Sequence, residues 1–175
     1  MKDIPGWFDF ADFYDFIANR YNEGIFVEIG VWKGLSIKYL AEKVKNKNIS
    51  IVGIDTFEGT KGEHDDDIDV INGTLFKRYL KNIHPYTIHT IVGRSDESYE
   101  NFPNESINFL FIDADHHYEV VKRDIELWYP KIKKGGIISG HDYAEGGECG
   151  VIPAVNEFFG QIKRMSSSVW YYENI

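Results

Sequence analysis

A single cysteine, Cys149, leaves no partner for an internal disulfide, so the chain does not read as a disulfide-stapled secreted scaffold. Cations are scarce as well. Lys plus Arg number 19 against 28 Asp plus Glu, a formal net charge of −9. A surface of that sign repels phosphate backbones, which argues against nucleic acid or an anionic membrane as the main partner. No apolar run approaches the ~20 residues of a membrane helix. The start, Met1-Lys2-Asp3-Ile4-Pro5-Gly6-Trp7, lacks the apolar core of a signal peptide. No internal repeat or low-complexity tract is visible. What is abundant is apolar and aromatic material, 43% and 15% of the chain, which excludes a disordered segment. The 175 residues suit one domain, 1–175, with a substantial core and a cytoplasmic location.

The chain is organised around Val27-Glu28-Ile29-Gly30-Val31-Trp32-Lys33-Gly34-Leu35-Ser36. The apolar run from Ile25 ends in an acid and a glycine, and a second glycine opens an amphipathic segment. That pattern predicts a buried strand, a tight turn and the first turn of a helix. Glycine is needed where φ is positive or where backbone must come close to a ligand. The free N–H groups of the following helix form a polar cradle at the carboxyl end of the strand, where open α/β sheets bind ligands. The plainer alternative is a strand–helix turn whose glycines serve geometry alone.

A dinucleotide fingerprint wants a glycine two residues after the first, so that backbone can touch a pyrophosphate. Trp32 occupies that position. An NAD-linked oxidoreductase is therefore the weaker reading, and the absence of a Tyr-x-x-x-Lys pair in the appropriate helix also opposes it. A nucleoside cofactor without phosphates, such as S-adenosylmethionine (SAM), needs no such approach. Asp55, at the end of the apolar run Ile51-Val52-Gly53-Ile54, is placed to accept hydrogen bonds from both ribose hydroxyls. By itself it would equally suit a helix N-cap or a turn.

Glu-Ile-Gly-x-x-x-Gly followed by Gly-Ile-Asp-Thr-Phe resembles the first two motifs of class I SAM-dependent methyltransferases. More narrowly, the chain is similar to small-molecule and sugar O-methyltransferases of the macrolide- and aminocoumarin-tailoring kind. The resemblance runs from about Phe26 to Tyr143. It implies that Glu28, Gly30, Gly34, Asp55 and Asp113 lie at the cofactor. Glu28 is expected near the methionine amine or the backbone N–H groups of the turn, with plain solvation as its alternative. The residues after the third strand contact adenine in that family, which makes Ser95 a candidate; its alternative is a helix N-cap.

Along the chain, aromatics spaced by three and four from Phe8 to Asn22 predict a leading amphipathic helix, so that residues 1–24 cover a sheet edge or the cofactor cleft. Its stripe suits core or a dimer surface, and a homo-oligomer is possible. Strands are expected at Ile25–Ile29, Ile49–Ile54, Ile88–Val92, Ile107–Ile112 and Ile137–Gly140. Helices are expected at Leu35–Val44, Leu75–Ile83, Val120–Lys131 and Ile152–Phe159, the third of them capped by Lys133-Lys134-Gly135-Gly136. Gln161–Met165 and Ser168–Glu173 fit a hairpin. Alternating strand and helix predict a single Rossmann-like, doubly wound, mostly parallel α/β sheet with an antiparallel C-terminal hairpin. Residues 57–73, with Asp65-Asp66-Asp67 and His64, read as an active-site lid or a solvated acidic loop. Ala144–Gly150 is a glycine-rich loop, and Cys149 within it is assigned no role.

Two acid and imidazole clusters fall at the ends of consecutive strands: Asp113 with Asp115, His116 and His117, then His141 with Asp142. Carboxylates converging there can hold a divalent cation, and an imidazole beside it can take a proton from a substrate hydroxyl. The resemblance assigns Asp113, His141 and Asp142 as metal ligands and His116 as base. The metal-dependent relatives usually carry an acid where His141 stands. That departure suits Mn, Fe or Zn at least as well as Mg, or makes His141 a substrate contact. The expected activity is O-methylation of a small hydroxylated acceptor, a sugar or glycoside included, with SAM and a divalent cation such as Mg or Mn. A non-catalytic SAM- or nucleotide-binding module is the alternative from another class.

Overall fold

The computed structural model describes residues 4–62, 64–144, 150–166 and 168–175. They run α1 (Ala11–Arg20), β1 (Glu23–Ile29), α2 (Leu35–Val44), β2 (Asn48–Asp55), α3 (Ile68–Ile71), α4 (Leu75–Ile83), β3 (His89–Val92), α5 (Ser95–Ser98), β4 (Ile107–Ile112), α6 (Tyr118–Trp128), β5 (Ile132–Gly140), α7 (Val151–Phe159), β6 (Lys163–Met165) and β7 (Val169–Glu173). One sheet takes all seven strands in the order β3-β2-β1-β4-β5-β7-β6. The first five are parallel, and β7 runs antiparallel to both β5 and β6. This is the mixed, mostly parallel sheet that strand–helix alternation predicts. Among the described residues, no helix is long and apolar enough to cross a membrane.

Both faces of the sheet are covered, and the period-two alternation of the strands sorts their side chains between two unlike cores. One face is aromatic: Phe26, Phe109 and Phe111 meet Phe10, Phe13 and Tyr14, with Phe10 and Phe111 centroids 4.7 Å apart. The other is chiefly aliphatic, with Val27, Ile29, Leu110 and Ile112 against Val121, Ile125 and Val155. The leading helix therefore lies on the sheet face over β1 and β4 rather than along an edge. Its aromatic stripe needs the breadth of a face to be buried.

Three expectations are corrected. The leading helix is shorter than residues 8–22, because Phe8 and Phe10 precede it. The helix that includes Trp128 ends there, in a tight turn containing Pro130. Lys133 to Gly136 is consequently strand, not cap: β5 begins at Ile132, with an irregularity between its pairings at Ile107 and Phe109. There Gly135 N–H donates to Asn174 O at 2.6 Å, and Asn174 N–H to Gly136 O at 2.9 Å, which draws the segment into the sheet. Residues 57–73 also contain α3, whose N-cap Asp67 accepts the Asp69 N–H at 2.9 Å.

Candidate active site

The strand order reverses at β1 and β4, and a doubly wound sheet opens its binding crevice at the carboxyl ends of such a pair. Gly30 and Asp113 meet there. Gly30 N–H donates to Ile54 O at 2.8 Å and Asp113 N–H to Ile29 O at 2.8 Å, so the two turns leave the sheet locked together. Gly30 has φ +85, and a Cβ on it would lie 2.0 Å from Asp113 O. The first glycine of the motif is thus required twice over. Gly34, also at φ +85, ends the turn and packs on Ile83 and Tyr79, and it lines neither of the two cavities at this edge of the sheet.

A first cavity of about 320 Å³ runs along this crevice past Gly30, Asp55, Gly93, Ser95 and Asp113. Asp55 closes its floor. Oδ2 accepts the Trp32 N–H at 2.8 Å and Oδ1 the Phe57 N–H at 2.7 Å. Burial raises its pKa, against the pull of these N–H donors. Two backbone bonds leave carboxylate lone pairs to spare, so Asp55 can serve both turn and ligand. Ile54 and Val120 add apolar surface. A carboxylate fixed by backbone donors, close backbone and some apolar surface together fit a nucleoside-bearing cofactor.

A second cavity of about 700 Å³ lies beside the first and shares Gly30, Trp32, His64, Asp113 and Ala114 with it. Its own lining comes from distant pieces of chain, including Gly6, Trp7, Asp67, His116, His141 and Asp142. The dividing wall is Trp32 stacked on His64 at 3.9 Å. Lys33, 6% exposed, is paired with Asp67 and lies 3.5 Å from Asp69, which also receives Arg78 at 3.3 Å. Residues 57–73 are therefore fastened to the glycine turn on the side of both cavities, which sets aside the solvated-loop alternative for Asp67 and Asp69.

Strand ends bring the acid and imidazole clusters into this second cavity. Asp113, His141 and Asp142 present donor atoms all within 4.8 Å of one another. Asp142 stands at φ 58, a left-handed conformation uncommon for non-glycine residues but adopted by Asp more readily than by most. His141 Nδ1 faces Asp142 at 3.1 Å and Asp113 at 3.7 Å. Its Nε2 is engaged from behind by Asp9 at 3.0 Å and Ser168 at 2.8 Å. Burial pulls this imidazole down, but the Asp142 bond and both acid charges hold it up at about 9. Burial pushes Asp113 up to about 6 against the charge of His141. Burial also acts on Asp142, yet its bonds to His116 and His141 keep it well below the usual carboxylate range. Two carboxylates and an imidazole whose far nitrogen is held by an acid match the pattern of metal-bound histidines, so the three residues could hold a divalent cation.

His116 Nε2 lies 2.9 Å from Asp142 Oδ2 and lines the second cavity. Asp115 binds His117, accepting its N–H at 2.8 Å with Nδ1 2.6 Å away. His117 points outward, 77% exposed. Ser95 lines the first cavity, its hydroxyl donating to Asp124 Oδ1 at 2.6 Å. Glu28 is in neither cavity. It is fully buried, which removes the solvated alternative, and it accepts the Tyr14 hydroxyl at 2.8 Å and the Ser36 hydroxyl. Cys149 lies outside the described residues.

Sequence reasoning passed over Asp9, Lys33, Ser168 and Asp124. The first three join the site only through tertiary contacts. Asp124 did carry a signal: Val121, Asp124, Ile125 and Trp128 make the buried stripe of α6, an acid where an apolar residue belongs.

A family model described as a methyltransferase domain matches residues 27–143. An uncharacterised protein of Acanthamoeba polyphaga mimivirus is 33% identical over 168 residues, covering 91% of this chain and 71% of the relative. Among solved structures, the O-methyltransferase NovP matches with a TM-score of 0.70 at 18% identity, covering 94% of this chain and 78% of NovP. The apo structure of CalS11, a TDP-rhamnose 3′-O-methyltransferase of calicheamicin biosynthesis, matches with a TM-score of 0.63 at 18% identity, over 93% of this chain and 76% of CalS11. At these identities the structural likeness is one of fold.

Proposed function

The chain belongs to the methyltransferase-domain family and is a SAM-dependent methyltransferase, and from that premise we propose that it methylates a hydroxyl of a small acceptor. The observation that carries this reading is the wall shared by two cavities. One has the lining for a nucleoside; the other has an imidazole paired to a carboxylate. When bound, SAM supplies a methyl group already activated on a sulfonium.

What remains for the chain is alignment and proton removal. Asp55 holds the ribose hydroxyls and Ser95 lies at the base. Gly30 lets the Asp113 backbone close against the glycine turn at the shared wall, and Asp113 borders the reacting end. Glu28 acts through Ser36, whose hydroxyl it fixes at the rim of the second cavity. His116 takes the proton from the acceptor hydroxyl, and Asp142, 2.9 Å away, stabilises the imidazolium that results. When bound, a divalent cation at Asp113, His141 and Asp142 supplies Lewis acidity toward the acceptor. The half-buried Trp32 and the exposed Trp7 offer aromatic faces to a sugar ring or another flat acceptor. The sugar substrate in the name of CalS11 favours the same class of acceptor.

Calorimetric titration with SAM, with and without Mg or Mn, and with NAD as control, tests the reading when followed by turnover assays on hydroxylated acceptors. Micromolar SAM binding, no NAD binding and methylated product are expected. Binding without turnover on any hydroxylated acceptor would favour the non-catalytic module. No SAM binding would remove the reading altogether.

A further inference from the structure

Asp124 is a carboxylate in an apolar position. It sits between Val121 and Ile125 on the buried stripe of α6 and is itself 1% exposed. Among the described residues, the Ser95 hydroxyl is the one hydrogen-bond donor to its carboxylate, on Oδ1. The neighbouring cations make their ion pairs with Asp96: Arg123 Nη1 lies 3.0 Å from it and Arg94 grips it through Nε at 2.9 Å and Nη2 at 2.8 Å, so Arg123 reaches Asp124 through its charge alone. The second carboxylate oxygen of Asp124 has no protein donor among the described residues and is left to bond with whatever enters the cavity it lines, water or ligand. Burial pushes its pKa up to about 6 despite the Ser95 bond.

Asp124 also lines the first cavity. With Gly93, Ser95 and Val120 it lies on the β3 side, away from the wall that Gly30 and Asp113 share with the second cavity. Asp55, at the end of β2, stands between the two, because β2 separates β3 from β1 in the sheet. A cofactor whose sulfonium is at the shared wall and whose ribose is at Asp55 carries its base into the Ser95–Asp124 end. Adenine has one donor group on its edge, the exocyclic amine; its ring nitrogens accept.

We propose that Asp124 Oδ2 accepts a hydrogen bond from the adenine amino group, with Ser95 fixing the carboxylate, so that this pair selects the adenine base. The inference rests on the first cavity being the SAM cleft. It gives Ser95 a positioning role, and it explains an acid on an apolar stripe, which a plain tie between α5 and α6 would not require.

The test is a binding cycle on the full chain. S-adenosylhomocysteine and its analogue with hydrogen in place of the amino group are titrated into wild type, Asp124→Asn and Asp124→Ala, with thermal melting to confirm folding. Wild type is expected to bind the deamino analogue about tenfold more weakly or worse, as for loss of a hydrogen bond to a charged group. Asp124→Ala is expected to bind S-adenosylhomocysteine more weakly by a similar factor and to show little further penalty for the analogue, the sign of a coupled pair. Asp124→Asn keeps the shape and shrinks the penalty, so it carries the cycle if the alanine variant does not fold. A penalty of equal size in wild type and variant, or none in wild type, overturns the proposal while leaving the cofactor cleft standing. A wild type that binds neither ligand overturns both.

Discussion

The two cavities share a wall but are built by opposite means. The first is assembled largely from the segments that leave strands β1, β2, β3 and β4, with α6 and residues 58–61 closing it. Its key groups are backbone and single acids held by local bonds, as Asp55 is by the N–H groups of Trp32 and Phe57. The second draws on Gly6 and Trp7, on Asp67, on His116, and on His141 and Asp142. Its central histidine is held by Asp9, 132 residues away, and by Ser168. A cofactor common to many acceptors suits the part fixed by sheet topology. The acceptor suits the part where strand-end groups meet loops and the N-terminal cover, since those last two can vary without disturbing the sheet.

The sharpest way to break this division is at His116, which lines the second cavity and not the first. Replacing it with alanine is expected to lower turnover by about 10²-fold or more, the usual weight of a positioned base. S-adenosylhomocysteine affinity in calorimetry should stay within about threefold. Retained turnover would take the base away from His116; loss of cofactor affinity would mean that the cavities are not separate in function. The converse substitution is Asp55→Ala. It is expected to weaken S-adenosylhomocysteine by about tenfold to a hundredfold, from charge-assisted bonds to ribose and a loosened turn. The Michaelis constant for acceptor at saturating SAM should change little. An acceptor constant that moves as much as the cofactor constant would erase the contrast.

How much of the molecule is legible in its sequence divides along the same line. The helices at Leu35–Val44 and Leu75–Ile83 are set by hydrophobic period and the strand at Ile107–Ile112 by a continuous apolar run, and they stand in the structure with those bounds. Asp55 and Asp113 are legible because each closes an apolar strand and falls in place after the glycine motif, although an acid at a strand end could by itself be a cap or a turn. β5 is not, since Gly135 and Gly136 look like a helix stop until Asn174 supplies their hydrogen bonds. The links from His141 to Asp9 and Ser168 carry no local pattern. Neither does the joining of Lys33 to Asp67, which turns an acid run into a fastening. Asp124 is legible in principle and hidden by habit, because an acid in an amphipathic helix is normally taken for its wet face.

Glu28 refines the comparison through stability instead of turnover, because it belongs to the glycine motif yet reaches neither cavity. It ends an apolar strand on the aromatic face, where Tyr14 of α1 and Ser36 of α2 both donate to it. Burial, opposed by those two bonds, pushes its pKa up to about 8. A folded-state value above the ordinary one for Glu means that the folded protein keeps a proton which the unfolded chain releases. Stability from this source is fully present below about pH 4.5 and is lost as pH rises toward about 8, at no more than about 1.4 kcal/mol per pH unit in that window. Glu28→Gln keeps the shape and offers an amide to the same hydroxyls without a titrating proton. Urea midpoints measured from pH 5 to pH 8 should therefore fall with pH in wild type and fall less in the variant. Parallel pH profiles would mean that Glu28 holds its charge in the fold, and that the motif acid faces water or ligand after all.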